Sequence, residues 1–445
     1  MLDPRSAAGG PAATTTTQPA PARRYYLLAL LTLLNILLVL DKIVLSILIE
    51  PIRAEFGLSD GQLGALMGLV YAVFMGAAGL PLGMLADRVN RRNLAAICLS
   101  AWSAMTLACA AAQNLWHLIL ARIGVGVGEA GGGPTAVSMI ADTFEPRRRA
   151  TAMAVFATGT QLAALVNLTF ATQIAHNYGW RMTLVAAALP GFALALLLVT
   201  TVREPQRGLA DRARASESAS PLKETLAYVW QQRSLRHLLI GATLCYIVVA
   251  GMGSWHFSFL VRSHELHLHE VGPIIGLGIA ALGIASNLSS GILSDFLGTR
   301  DERYRTRLIG TAALITLGIG SWSILTRNPH GALAGVVVFA VAVMFWFPTV
   351  AALTQGLVGP RMRSTIAGLL FLLSNLIGYG IGPLLIGGLS DVLAPTFGEH
   401  SLRYAMIAVL GLLGWAAVHF FLSGRDLRKN LATALAATHS IDERT

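Results

Sequence analysis

Two ionisable residues interrupt the apolar stretch between Leu115 and Ile140, and their spacing points to proton or anion chemistry. Arg122 and Glu129 are about two helical turns apart, so on a helix both leave the same face, about 10 Å from each other. If the stretch crosses a membrane, ionisable side chains inside it are costly unless they face a partner or a water-filled cavity. The spacing therefore predicts one wall of a polar cavity.

A third ionisable residue, Asp41, lies near the middle of the first apolar stretch, next to Lys42. Adjacent helical residues diverge by about 100°, so we expect Asp41 rather than Lys42 to face the cavity. Burial favours the protonated form of a carboxyl group, whereas a nearby guanidinium favours the ionised form. An anionic head group on Arg122 would therefore promote proton uptake by Asp41 or Glu129. A structural ion pair between Asp41 and a neighbouring helix is the alternative.

The chain that positions these residues has the composition of a polytopic membrane protein. Of its 445 residues, 54% are hydrophobic and 13% charged, and the mean hydropathy is +0.62. The long apolar runs do not alternate with polar residues, which excludes transmembrane β-strands. About twelve stretches are long enough to cross a bilayer as helices: Tyr25–Ile49, Gln62–Leu85, Leu94–Ala112, Leu115–Ile140, Thr151–Ile174, Met182–Val202, His237–Val261, Val271–Leu293, Leu308–Leu325, Ala332–Leu353, Ile366–Leu389 and Tyr404–Leu422.

Lysines and arginines predict the orientation of these stretches. Most lie in the terminal segments or in loops that follow even-numbered stretches, and the other loops carry few: Arg53, Arg181, Arg262, Arg327 and Arg403. Loops rich in these residues stay cytoplasmic, so both termini are predicted to be cytoplasmic. We expect the membrane to be the inner membrane of a bacterium. The net charge of +10 follows from this topology. No nucleic-acid partner is implied, because the basic residues form no single patch.

Glycines and a proline shape the stretch that carries Arg122. Gly126, Gly128 and Gly131 form a G-x-G-x-x-G pattern, but they lie inside a hydrophobic segment without the strand that a dinucleotide-binding turn requires. Small residues allow close helix packing in membranes. Pro134 is expected to bend or weaken the helix.

Two pairs of similar segments indicate an internal repeat. Gly83-Met-Leu-Ala-Asp87 corresponds to Gly291-Ile-Leu-Ser-Asp295, and Pro146-Arg-Arg-Arg149-Ala-Thr151 corresponds to Pro360-Arg-Met-Arg363-Ser-Thr365. Both pairs have nearly the same separation in sequence, so they predict two homologous halves of about six helices each.

The segment GMLADRVNRR resembles the signature loop of the major facilitator superfamily, with Asn90 where a glycine is usual. The resemblance implies an all-α membrane protein with twelve transmembrane helices in two pseudo-symmetric six-helix bundles, which rock around a central cavity. It also implies a cytoplasmic gate, formed by Asp87, Arg88, Arg149 and Asp295. The alternative is that these charges only fix loop topology. The expected organisation is a flexible tail (1–24), a first bundle (25–202), a cytoplasmic linker (203–236), a second bundle (237–422) and a tail (423–445).

Within that superfamily, four features together resemble the spinster family of lipid-related transporters: Asp41 followed by a basic residue, Arg122, the run GVGVGEA, and IADTFEPRRRATAMAVF. The family usually has arginine where this chain has Lys42. The resemblance implies a proton-coupled carrier for an amphiphile such as a lysophospholipid or a sphingosine phosphate. It implies that Asp41 and Glu129 are the protonation sites, with Arg122 as their partner.

Polar and aromatic residues within the spans are candidate substrate contacts, because aromatic rings with polar tips suit an amphiphilic ligand. Together with Arg122, the candidates are Asn35, Tyr71, Trp255, His256, Trp346, Asn375 and Tyr379. The second half has no mid-span carboxylate, so coupling chemistry is expected in the first half. The alternative for each residue is helix packing or an interfacial anchor.

Other chemistries find little support in the sequence. His264, His267 and His269 lack the spacing of a metal motif, and the three cysteines have no loop partners, so no metal site is expected. No G-x-x-x-x-G-K-[ST] or G-x-S-x-G motif is present, so neither an ATP-driven pump nor an enzyme is expected. We expect a monomer without a cofactor, with protons as the coupling ion and membrane lipid around it. The alternatives are a carrier for small organic anions or drugs and a membrane receptor that transports nothing.

Overall fold

The computed structural model describes residues 21–205 and 221–442, and all regular secondary structure in these residues is helical. Most of the predicted N-terminal tail, the middle of the predicted linker and residues 443–445 lie outside the described residues. The first half contains nine α-helices: α1 (Pro21–Ile47), α2 (Ile49–Phe56), α3 (Asp60–Met67), α4 (Leu69–Ala86), α5 (Arg91–Ala110), α6 (Leu115–Glu129), α7 (Gly132–Thr143), α8 (Pro146–Val166) and α9 (Thr172–Thr201).

The second half begins with a short helix and continues with long ones. Its helices are α10 (Leu222–Gln231), α11 (Arg233–His264), α12 (Leu268–Arg300), α13 (Arg303–Leu325), α14 (Pro329–Ala342), α15 (Phe347–Gly356), α16 (Arg363–Leu372), α17 (Gly380–Phe397), α18 (Ser401–Ser423) and α19 (Leu427–Asp442). A π-helical turn at Asn167–Ala171 joins α8 to α9, and a longer one at Leu373–Tyr379 joins α16 to α17.

The helices fit the predicted number of membrane crossings. Within the described residues, nine helical stretches are long and apolar enough to span a membrane, and two of them, of 55 and 59 residues, each cover two predicted spans. The pair α6 and α7 covers one more predicted span, Leu115–Ile140, although neither helix alone is long enough to cross a membrane. The structure is therefore consistent with twelve crossings.

Local sequence explains where helices begin and break. The break after Glu129 lies where Pro134 has no N–H to donate to the carbonyl of Ala130, as the sequence predicted. Gly179 adopts a φ of +82° at a sharp turn within α9, a backbone conformation that favours glycine. Asn90, at the position where a glycine is usual, is the N-cap of α5, and its side chain accepts a hydrogen bond from the N–H of Asn93.

Several pairs of helices pack extensively within each half, and the contact between α3 and α17, which joins the halves, is of similar extent. In the first half α5 packs on α6 and α9, and α1 packs on α8; in the second half α18 packs on α11, α13 and α17. The predicted fold class, two six-helix bundles of a membrane protein, is confirmed.

The two halves approach each other most closely where α3 meets α17, at the predicted external end. A Cβ atom on Gly64 would overlap the carbonyl oxygen of Pro383, and one on Gly68 would lie 2.7 Å from the carbonyl oxygen of Tyr379. Small residues let helix backbones touch in this way. Gly64 on α3 and Gly68 between α3 and α4 therefore allow the halves to close at this end.

We expect Gly64→Val to separate the halves at this end, because overpacking a tight contact costs about 1–3 kcal/mol. Spin labels on the exposed residues Gln62 and Glu399 should report a larger population of long distances. Gly76→Val is the matched control, since a Cβ at Gly76 on α4 meets nothing within 4 Å. Identical distance distributions in the two variants would contradict this account.

Candidate functional site

Four helices of the first half bring a set of polar side chains together near the middle of the bundle. Arg122 on α6 lies 3.9 Å from Asp41 on α1, measured from Nη1 to Oδ2. Thr106 on α5 donates a hydrogen bond of 2.9 Å to the other oxygen of Asp41. Tyr71 on α4 donates a hydrogen bond of 2.5 Å to Oε2 of Glu129. The guanidinium of Arg122 lies 5.1 Å from the ring centroid of Tyr71. We call these five residues the charge cluster.

Glycines on α6 make the charge cluster possible. A Cβ on Gly126 would lie 2.8 Å from the carbonyl oxygen of Tyr71, and a Cβ on Gly128 would lie 2.8 Å from the backbone nitrogen of Trp102. The backbone of α6 therefore touches α4 and α5 directly. Tyr71 can reach Glu129 only because no side chain separates the two helices.

The charge cluster is buried and its hydrogen bonding is incomplete. Asp41 and Arg122 are each 4% exposed, and Glu129 is fully buried. Within the described residues, Asp41 Oδ2, Arg122 Nε and Glu129 Oε1 have no hydrogen-bond partner. An unsatisfied buried polar atom is costly, so three of them in one cluster mark a place where a proton or a polar ligand would be stabilised.

Lys42 joins the charge cluster, which corrects the expectation that it faces elsewhere. Its ammonium nitrogen lies 5.6 Å from the ring of Tyr71 and 5.8 Å from the ring of Tyr379, which belongs to the second half. It lies within electrostatic range of Asp41 and Glu129. The Cα–Cβ bonds of Asp41 and Lys42 do point in different directions. The four-carbon side chain of lysine is flexible, however, and its ammonium group reaches the charge cluster.

The other predicted substrate contacts in the second half are mostly packing residues. Trp255 is fully buried and donates a hydrogen bond of 2.9 Å to the carbonyl oxygen of Pro383. His256 is 3% exposed, and its ring contacts Phe339. Trp346 is 4% exposed and packs edge-on against a neighbouring tyrosine. The hydrogen bond of Trp255 favours a structural role for this residue. The buried Nε2 of His256 and Nε1 of Trp346 have no hydrogen-bond partner among the described residues, so the roles of these two stay predictions.

The two predicted asparagines also bond to backbone, whereas Tyr379 is open to the space around it. Asn35 donates to the carbonyl oxygen of Phe156, which links α1 to α8, and Asn375 donates to that of Phe371 in its own helical segment. Tyr379 is 39% exposed at the end of the π-helical turn. Of the second-half candidates, Tyr379 is the one that the structure places beside the charge cluster.

Among the described residues, no ion pair joins Asp87, Arg88 or Asp295 to the opposite half in this conformation. Asp87, Arg88 and Asp295 are exposed, and Arg149 is half-buried. Asp295 lies 3.6 Å from Arg305 of its own half. Their role in a gate stays a prediction for a conformation in which the predicted cytoplasmic end is closed.

Ion pairs instead join the halves at the predicted external end. Arg262 on α11 forms a bidentate pair with Asp60 on α3, at 2.8 and 2.9 Å, and donates a third hydrogen bond, of 2.8 Å, to Glu50 on α2. Asp391 on α17 accepts hydrogen bonds from the backbone N–H groups of Asp60 and Gly61. We call these residues the external clasp. Sequence reasoning missed it, since its partners are far apart in the chain and no motif connects them.

Further contacts surround the external clasp. The ring of His269 stacks on that of His176 across the halves, with centroids 3.7 Å apart. In the part of the chain that the structure describes, no group of three or more His, Cys, Asp or Glu residues could hold a metal ion. Hydrogen bonds from Arg181 and Trp180 hold the pKa of Glu55 below its usual range. The ion pair between Arg181 and Glu55 lies within the first half.

Comparison with known proteins agrees with this architecture. The family model of the Major Facilitator Superfamily matches residues 31–383. The chain belongs to the major facilitator superfamily. An MFS-type efflux pump of Mycolicibacterium smegmatis is 30% identical over 90% of this chain and 92% of its own length. As a member of this family, the protein is a membrane transporter and not an enzyme.

The resemblance to spinster proteins within the superfamily is also confirmed. Human protein spinster homolog 1 is 26% identical over 87% of this chain and 79% of its own length. A crystal structure of a bacterial homolog to the human lysosomal transporter spinster, in an inward-facing and unoccupied conformation, superposes with a TM-score of 0.81 at 27% identity. It covers 92% of this chain and 99% of its own.

We expect Arg262→Ala to open the predicted external end, because truncating one partner of a buried charge pair costs about 2–5 kcal/mol. Ser390 is 1% exposed and contacts Asp60, so a cysteine at this position reports opening. Its reaction with a membrane-impermeant thiol reagent should be faster with Arg262→Ala. Arg181→Ala, which breaks a pair inside one half, is the control and should leave the rate unchanged. Equal rates in both variants would exclude the external clasp as the closing contact.

Proposed function

We propose that this protein is a proton-coupled secondary transporter that moves an amphiphilic, lipid-like substrate by alternating access between its two halves. The observation that carries the proposal is the charge cluster with Lys42. The cluster and Lys42 together place two carboxylates and two cations inside a membrane bundle. Tyr379 of the second half lies beside them. The similarity to the mouse sphingosine-1-phosphate transporter SPNS2, at 27% identity over 89% of this chain, supports a lipid-like substrate.

Charge balance supplies the coupling. With Asp41 and Glu129 ionised, their charges match those of Arg122 and Lys42. An anionic head group that binds the cations adds a negative charge in a low-dielectric site, where an unbalanced charge is costly. Proton uptake by one carboxylate removes the excess. Release of the head group reverses the step, so substrate occupancy and protonation depend on each other.

The closed external clasp and the exposed predicted gate residues support the assignment of this conformation as one that is open toward the cytoplasm. Movement of the halves would break the clasp and bring Asp87, Arg88, Arg149 and Asp295 together. A location in the inner membrane of a bacterium, with both termini in the cytoplasm, is part of the proposal. The distribution of lysine and arginine supports the cytoplasmic position of the termini. The similarity to bacterial relatives supports the bacterial membrane.

In proteoliposomes, Glu129→Gln, Asp41→Asn and Arg122→Ala should each reduce proton-driven transport of a lysolipid or sphingosine phosphate by about tenfold or more. Each variant removes a charge from the cluster, and a tenfold change corresponds to a free energy of only about 1.4 kcal/mol. The matched control is Glu55→Gln, which removes an exposed carboxylate of the same half. Each variant should elute as a folded monomer in detergent. Full proton-dependent transport by both carboxamide variants would remove Asp41 and Glu129 from coupling.

A small organic-anion or drug carrier is the second candidate, and the relative described as an MFS-type efflux pump favours it. Only a ligand that binds the folded state raises the melting temperature. If the substrate is lipid-like, a lysolipid series should raise the melting temperature in order of chain length, and small organic acids should not. The reverse order of effects would favour the second candidate.

A further inference from the structure

A cleft opens at the predicted cytoplasmic end of the first half, away from the charge cluster. Its volume is about 460 Å³, within the range of small-molecule sites. It lies between the start of α1 and the start of α8, and its lining residues are Tyr25, Leu28, Ala29, Phe144, Arg148, Thr151, Ala152 and Val155. Tyr25 and Asp41 are on the same helix about 24 Å apart, at 1.5 Å per residue. The cleft is therefore separate from the proposed coupling site.

The walls of the cleft are apolar and aromatic, with a cationic edge. The rings of Tyr25 and Phe144 meet edge to face, with centroids 6.0 Å apart. Arg148 contributes a guanidinium to the lining and Thr151 contributes a hydroxyl group, and both residues are exposed. Among the described residues, the guanidinium of Arg148 has no carboxylate partner. An apolar wall beside an exposed guanidinium suits an amphiphile with an anionic head group better than a soluble anion.

The position of the cleft favours a lipid of the surrounding membrane. Tyr26 beside it is 42% exposed, and Arg23 and Arg147 are exposed nearby in sequence. Aromatic side chains mark the membrane interface, and basic residues at the cytoplasmic face attract the anionic lipids of that leaflet. Basic pockets between transmembrane helices on this side bind lipid head groups.

We propose that this cleft binds an anionic phospholipid of the cytoplasmic leaflet. Arg148 and Thr151 hold its phosphate, and one acyl chain lies along Leu28, Ala29 and Val155. The lipid joins the start of α1 to the start of α8, and its binding stabilises the first half in this conformation. The site is independent of the proposed cargo and of proton coupling.

The test compares the melting temperature of the whole protein in nanodiscs of phosphatidylcholine with and without phosphatidylglycerol. Phosphatidylglycerol should raise the melting temperature of the native protein, and high salt should reduce the shift. Arg148→Gln removes the cation and Ala29→Trp fills the cleft, so each should abolish most of the shift. The matched controls are Arg147→Gln, an exposed arginine one position away, and Ala22→Trp, an exposed alanine on α1; both should retain it.

Several results would overturn the proposal. An equal shift in all four variants, or no shift with phosphatidylglycerol, would exclude an anionic phospholipid at this cleft. An equal shift with inorganic phosphate alone would indicate a site for soluble anions instead. Arg148→Gln could abolish the shift in melting temperature that a single-chain phosphate lipid causes and retain the shift that phosphatidylglycerol causes. In that case the cleft belongs to the cargo path. Melting in pure phosphatidylcholine reports whether each variant is folded, so loss of folding is not mistaken for loss of binding.

Discussion

Keeping two carboxylates and two cations inside a membrane bundle requires that their charges balance, because an uncompensated charge in a low-dielectric interior is very costly. The structure meets this requirement with four residues of the first half: Asp41, Lys42, Arg122 and Glu129. The balance is incomplete in its hydrogen bonding, since one oxygen of each carboxylate accepts no hydrogen bond from the described residues. A site of this kind is stable, yet it responds to any added charge.

Close helix packing is a condition for this balance. The glycines of α6 bring Glu129 to Tyr71, and the glycines of α3 bring the first half against α17, beside Tyr379. Lys42 lies between the two tyrosine rings, so the proposed coupling site and the contact between the halves share a side chain. A change of charge at the cluster can therefore alter the energy of the contact between the halves.

Sequence periodicity predicted the parts of the site that lie on one helix or follow from burial. The common face of Arg122 and Glu129, the inward-facing position of Asp41 and the helix break near Pro134 are of this kind. The contribution of Lys42 and the external clasp of Arg262 and Asp60 were not predicted. The reach of a flexible side chain and the docking of two halves depend on tertiary geometry, which no local pattern in the sequence encodes.

Proton uptake on ligand binding tests the charge-balance account most directly. Purified protein in weakly buffered detergent, mixed with a single-chain phosphate lipid, should take up protons from solution, as read by a pH indicator. A neutral lipid of the same chain length should cause no uptake, and Glu129→Gln together with Asp41→Asn should abolish it. Binding of the anionic lipid without any proton uptake would contradict the account, because the added charge would then be compensated in another way.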